Sequence, residues 1–209
     1  DEQEFSAAAA LLEKYNQSLW ATPYPFMGLP FNRFEFEDIK ALTDRIKRKD
    51  IQNLLLLGIG GSSLGTETIY NALLHPFHNC SDKVRNGRPR YFILDNIDPH
   101  KINSIIEIIE KEKDRTLLVV ISKSGETPET TSQFMIFKDM LSDSENYKER
   151  IVIITDRNKG LLKEVVDKEG YPVLHVPEGV GGRFSVLTPV GMFPSAAMDI
   201  NIDTIADGA

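Results

Sequence analysis

From residue 52 onward the chain alternates short apolar runs with amphipathic stretches, and this alternation restricts its fold more than any other feature. The apolar runs are Asn53 to Leu57, Tyr91 to Leu94, Leu117 to Ile121, Ile151 to Ile154 and Val173 to Val176. Helical patterns lie between them, near 63–74, 99–113, 128–141 and 160–169. A strand that is apolar on both faces must be covered on both faces, and helices between such strands supply the cover. The pattern predicts an α/β fold, a doubly wound five-stranded parallel sheet over residues 35–188. Before it, Phe5, Ala8, Leu12, Tyr15 and Leu19 share one stripe, so 5–19 reads as an amphipathic helix packed on the domain as an appendage. Pro23, Pro25, Gly28 and Pro30 interrupt regular structure over 20–34, and a second helix is expected over 36–48, with Arg45, Lys47, Arg48 and Lys49 at its end. Trp20 and the aromatics from Phe26 to Phe36 read as packing anchors. Residues 1–34 form an N-terminal helical segment and connection, and 189–209 read as the start of a linker.

Composition narrows the function. A net charge of -7 argues against a nucleic-acid surface, which needs a basic face. It does not oppose a phosphorylated metabolite, for which a few well-placed donors suffice. Cys80 is the single cysteine, so no internal disulfide can form and a reducing, cytoplasmic setting is expected. No apolar run approaches the roughly 18 residues of a membrane span, and no membrane partner is expected. The ends, Asp1 and Asp207-Gly208-Ala209, read as cuts from a longer chain.

Doubly wound sheets bind ligands at the carboxyl ends of their strands, at the switch point. Three unusual segments fall there. GIGGSSLG, Gly58 to Gly65, follows the first strand and opens a helix. Gly60 and Gly61 let backbone approach a ligand, Ser62 and Ser63 add hydroxyls, and a helix N-terminus favours an anion. A tight turn with a serine cap would look the same, and neither the nucleoside-triphosphate nor the dinucleotide pattern fits. SKSGETPET, Ser122 to Thr130, follows the third strand. Ser122, Ser124, Thr127, Thr130 and Lys123 at one helix start exceed what capping requires and suit a phosphate monoester. PEGVGGRFSVLTPVG, Pro177 to Gly191, holds Arg183 behind Gly179, Gly181 and Gly182. Its guanidinium stays cationic and can stabilise an oxyanion, though a structural ion pair is the plain alternative.

Other candidates carry less. His75 and His78 have no acidic or thiol cluster around them beyond Cys80, so no metal site is expected. His100 reads as a capping neighbour, His175 as a satisfied core histidine, and Glu126 as a loop or cap residue.

Taken in order and spacing, GIGGSSLG, SKSGETPET and VGGRFSVLTPVG resemble the phosphoglucose isomerase family, over about 35–209, the first of its two sugar isomerase (SIS) domains. SKSGET is shared by many SIS domains, whereas GGRFSVLTPVG is far more specific. The serine-glycine form of the second loop is similar to bacterial members. The resemblance implies that Ser62, Ser122, Lys123, Ser124 and Thr127 hold a sugar 6-phosphate, with Gly60, Gly61 and Gly182 giving close backbone approach. It implies that Arg183 stabilises the cis-enediolate formed as glucose 6-phosphate and fructose 6-phosphate interconvert. It also implies a homodimer, and neither metal nor organic cofactor. The family's proton-transferring Glu, ring-opening His and a further Lys lie in motifs that do not occur before Ala209, and the His comes from the partner subunit. A sugar-phosphate-sensing module and another SIS isomerase remain the rival readings.

Overall fold

The computed structural model describes residues 2–17 and 25–209; Trp20, and Leu19 of the expected first helix, lie outside them. The five apolar runs are strands: β1 (Asn53–Leu57), β2 (Arg90–Leu94), β3 (Thr116–Ile121), β4 (Ile151–Thr155) and β5 (Val173–His175). They form one sheet in the order β2-β1-β3-β4-β5. Every neighbouring pair is parallel, with Asn53 of β1 beside both Arg90 and Thr116. The order reverses between β1 and β3, so the loops after those two strands flank the switch point.

Alternate residues of each strand feed two cores. Leu54, Leu56, Val119, Val152 and Ile154 face one side, and Leu55, Leu57, Val120, Ile151 and Ile153 the other. The first face is covered by α2 (Phe34–Lys47), α3 (Leu64–Leu73), α8 (Pro189–Ala197) and α9 (Ile202–Asp207). The second is covered by α5 (Pro99–Ile109), α6 (Pro128–Ser142) and α7 (Leu161–Glu169). A short α4 (Asp82–Arg85) precedes β2. Pro99 and Pro128 occupy first turns, where a missing N–H costs nothing.

Two expectations are corrected. α1 (Glu2–Gln17) forms, but its stripe does not pack on the domain: Phe5 is 81% and Leu12 61% exposed, and Ala8 is exposed too. Residues 189–209 do not begin a linker. Every residue of α8 is buried, and Val190, Met192, Phe193 and Ala197 join the first core. Tyr70 of α3 seals the junction by donating its hydroxyl proton to the Pro194 carbonyl at 3.0 Å. The missed signal has a physical cause, because a helix apolar on every face shows no amphipathic period.

Candidate functional site

Helix caps distinguish two of the three singled-out loops from other helix starts. Asp98 caps α5 by accepting from the backbone N–H of His100 and Lys101, Thr188 caps α8 and Asn201 caps α9. Ser63 and Thr127, at the starts of α3 and α6, make no side-chain cap, although Ser and Thr are favoured for it. Ser81, before the single turn of α4, is idle as well. The first amides of α6 are therefore not spent on a side-chain cap and remain open to an anion.

The Thr127 hydroxyl turns instead to the Ser122 hydroxyl at 3.0 Å, and Ser124 Oγ stands 3.5 Å from Ser122 Oγ. Ser122 Oγ also accepts the N–H of Gly125 at 3.1 Å. Thr155, at the end of β4, donates to the Ser122 carbonyl at 2.8 Å and fixes the turn from below. Gly125 has φ +70, and Gly160, opposite it, is so close that a β-carbon would sit 2.2 Å from the Ser124 carbonyl oxygen. The loop is thus a rigid knot of hydroxyls. Thr130 stays outside it, fully buried and without a hydrogen-bond partner.

The first and third segments meet through backbone. A β-carbon on Gly61 would lie 2.2 Å from the Gly182 carbonyl oxygen and 2.9 Å from the Arg183 nitrogen, so only glycine fits. Ser185 Oγ bridges them, donating to Gly182 O at 2.7 Å or Gly61 O at 3.4 Å. Gly60, at φ +58, makes the turn that puts Gly61 there. Ser62 is half-buried at the end of the same turn, its N–H bonded to the Ile59 carbonyl.

Arg183 is exposed and forms no ion pair with a described residue. Lys123 joins the second loop to the third: its ammonium donates to the Val180 carbonyl at 2.5 Å. The sequence-derived residues therefore gather as two linked groups, Ser122–Ser124–Thr127 with Lys123, and Gly60–Gly61–Ser62 with Gly182–Arg183.

A cleft of ≈ 840 Å³ opens beside Lys123 and Ser124, walled by Arg157, His175, Glu178 and Glu35. Sequence reasoning missed Glu35 and Arg157; the TDRNKG turn directly after β4 was the available signal. Burial raises the Glu35 pKa, with Asp38 adding to the shift and Arg157 opposing it. His175 is not a satisfied core residue: its Nδ1 has no partner, and burial, then Arg157, lowers its pKa. His78, by contrast, is buried with Nε2 2.9 Å from the Pro89 carbonyl oxygen, and Cys80 is exposed. Glu126 is exposed, bonded only through its N–H to Ser124 Oγ.

The sequence profile of the family described as phosphoglucose isomerase matches residues 38–207. The chain belongs to the phosphoglucose isomerase family. A glucose-6-phosphate isomerase of Fusobacterium nucleatum subsp. nucleatum is 42% identical over 190 residues, 88% of this chain and 42% of that protein. The crystal structure of a hypothetical protein from Thermus thermophilus is similar over 99% of this chain and 48% of its own, with TM-score 0.80 and 26% identity. A glucose-6-phosphate isomerase structure from Chlamydia trachomatis gives 82% and 31% coverage, TM-score 0.64 and 28% identity. This chain spans less than half the length of each. No described helix is long and apolar enough to cross a membrane.

Proposed function

We propose that this segment is the phosphate- and enediolate-binding part of a cytoplasmic, homodimeric glucose-6-phosphate isomerase. The observation that carries the reading is the uncapped start of α6: Thr127 forgoes its cap and joins Ser122 and Ser124, which leaves hydroxyls and helix amides for a tetrahedral dianion. Ser62 supplies a further hydroxyl from the turn across the switch point, and Lys123 adds positive charge at the rim.

The Arg183 guanidinium then faces the carbon end of the sugar. During transfer of a proton between C2 and C1 the oxygens acquire enediolate charge, and a preorganised cation that keeps its own proton stabilises that charge. Ring opening and the carbon-to-carbon proton transfer need a carboxylate or imidazole. Glu126 is exposed and away from the hydroxyl knot's interior, and the family resemblance implies that those groups lie in motifs absent from residues 1–209, with the imidazole supplied by the partner subunit. The rival reading is a sugar-phosphate sensor, in which Arg183 only binds.

Differential scanning fluorimetry tests the phosphate site. Glucose 6-phosphate or sulfate should raise the melting temperature of the chain, while glucose should not. At a hundredfold excess over Kd, linkage adds about 2.7 kcal/mol. Ser122→Ala combined with Thr127→Ala should remove the shift; an undiminished shift would place the phosphate elsewhere.

A further inference from the structure

Residues 177–185 carry Arg183 on a glycine-rich backbone whose one regular turn is Gly182–Phe184. Gly179 has φ +78 and is followed closely by Gly181 and Gly182, a composition that leaves many backbone conformations open. Its internal bonds are short-range: Val180 N–H to Pro177 O at 3.4 Å, Phe184 N–H to Gly181 O at 2.9 Å and Ser185 N–H to Gly182 O at 3.3 Å. The far end is held by the Gly61 contact and by Ser185. Among the described residues, Lys123 is the one side chain that reaches residues 177–182 from outside the loop with a hydrogen bond.

We infer that Lys123 is a positioning residue, whose ammonium fastens the Val180 carbonyl and so holds Arg183 at a fixed distance from the phosphate loop. This rests on the assignment of Arg183 to the reaction given above. A lysine serving the phosphate alone would turn its ammonium toward Ser122, Ser124 and Thr127. Here it reaches across 57 residues of sequence to a main-chain acceptor. Val180 is itself buried, 1% exposed, so the strut meets the loop at its seated point. The chemistry gives the reason. The phosphate and the reacting carbons belong to one substrate of fixed covalent reach, and a misplacement of about 1 Å between their binding groups costs on the order of 10²-fold in rate. A strut that starts in the phosphate loop and ends three residues before Arg183 sets that separation together with the Gly61 contact at the far end. One of the three ammonium donors is used by the strut, and two remain.

Amide hydrogen exchange of the ligand-free chain tests this. In Lys123→Met the amides of Val180, Phe184 and Ser185 should exchange roughly tenfold faster, as local opening becomes easier when a charge-assisted bond is lost. Amides of β3 and the body of α6 should keep their rates, and Lys123→Arg should recover part of the protection. Unchanged exchange at Val180, Phe184 and Ser185 overturns the inference. So does a rise of equal size throughout β3 and α6, which would mean general destabilisation. If Lys123→Met proves too unstable to study, the Lys123→Arg rates decide alone: protection equal to an open loop overturns the strut. A wild-type chain that shows no melting shift with inorganic phosphate would sink the phosphate site and leave the exchange result standing, so the two readings fail separately.

Discussion

The two edges of the sheet treat charge in opposite ways. At the amino edge, where the strands begin, charges neutralise one another. Arg90 pairs with Glu112, Arg115 with Asp50 at 2.6 Å, and Lys49 with Glu149. Asn53, fully buried at the start of β1, accepts from Arg90 Nε at 2.8 Å and donates to Thr116 Oγ1 and Glu112. At the carboxyl edge, Arg157, Lys159, Glu178 and Arg183 form no ion pair with a described residue, and Lys123 is bonded to a carbonyl. Lys101 with Asp95, and Arg33 with Asp207, are exceptions. One edge closes the structure, and the other leaves these charges unpaired among the described residues.

Substitutions at the two edges should therefore separate stability from chemistry. The largest effect is expected at Arg183. In an isomerase of the relatives' full length built on this segment, Arg183→Ala should lower kcat by on the order of 10² or more, as loss of a preorganised oxyanion partner does. The melting temperature should stay put, since the residue is exposed and unpaired. A rise in KM with kcat unchanged would make it a uniform binding group and favour the sensor.

The amino edge should give the opposite result. Asn53→Ala removes three side-chain hydrogen bonds at a fully buried position and should cost about 1–3 kcal/mol of stability. For a chain of this size that lowers the melting temperature by roughly 2–4 °C per kcal/mol. The phosphate-induced shift should survive unaltered. A lost shift would show that the edges are coupled.

The smallest effect concerns pH. Burial holds the His78 pKa below its ordinary value, partly offset by its bond to the Pro89 carbonyl. The unfolded chain therefore takes up the proton first. Stability tied to His78 is complete above about 6.5 and is lost as pH falls from there toward the lower folded value. His78→Gln should flatten the fall of melting temperature in that window. An unflattened profile would assign the slope to His175 at the other edge, whose pKa is depressed by burial in the same direction.

The strands were legible in the sequence because burial on both faces leaves an uninterrupted apolar run, and β1 was bounded to the residue. Helix starts at Pro99 and Pro128 were legible for steric reasons. The three loops stood out by composition, and Ser122, Ser124 and Thr127 do come together. What sequence could not convey is contact between loops. Gly61 against Gly182, and Lys123 on Val180, depend on where two turns end up in space, and no local pattern encodes that. The Thr130 hydroxyl was counted with its neighbours because spacing alone does not reveal which side of a helix start faces the core. α8 was read as the start of a linker because its all-round apolar surface hides any period.

That helix also decides where the chain can be cut. A fragment ending at residue 188 would keep all three loops that the proposed site uses. It would also strip part of the cover from the face of Leu54, Leu56 and Val119, and bare the sides of α2 and α3, leaving an oily surface open to water. Surfaces of that kind drive self-association. Such a fragment would be lost to aggregates before its binding could be assayed, which makes residues 189–207 a solubility element as much as a part of the core.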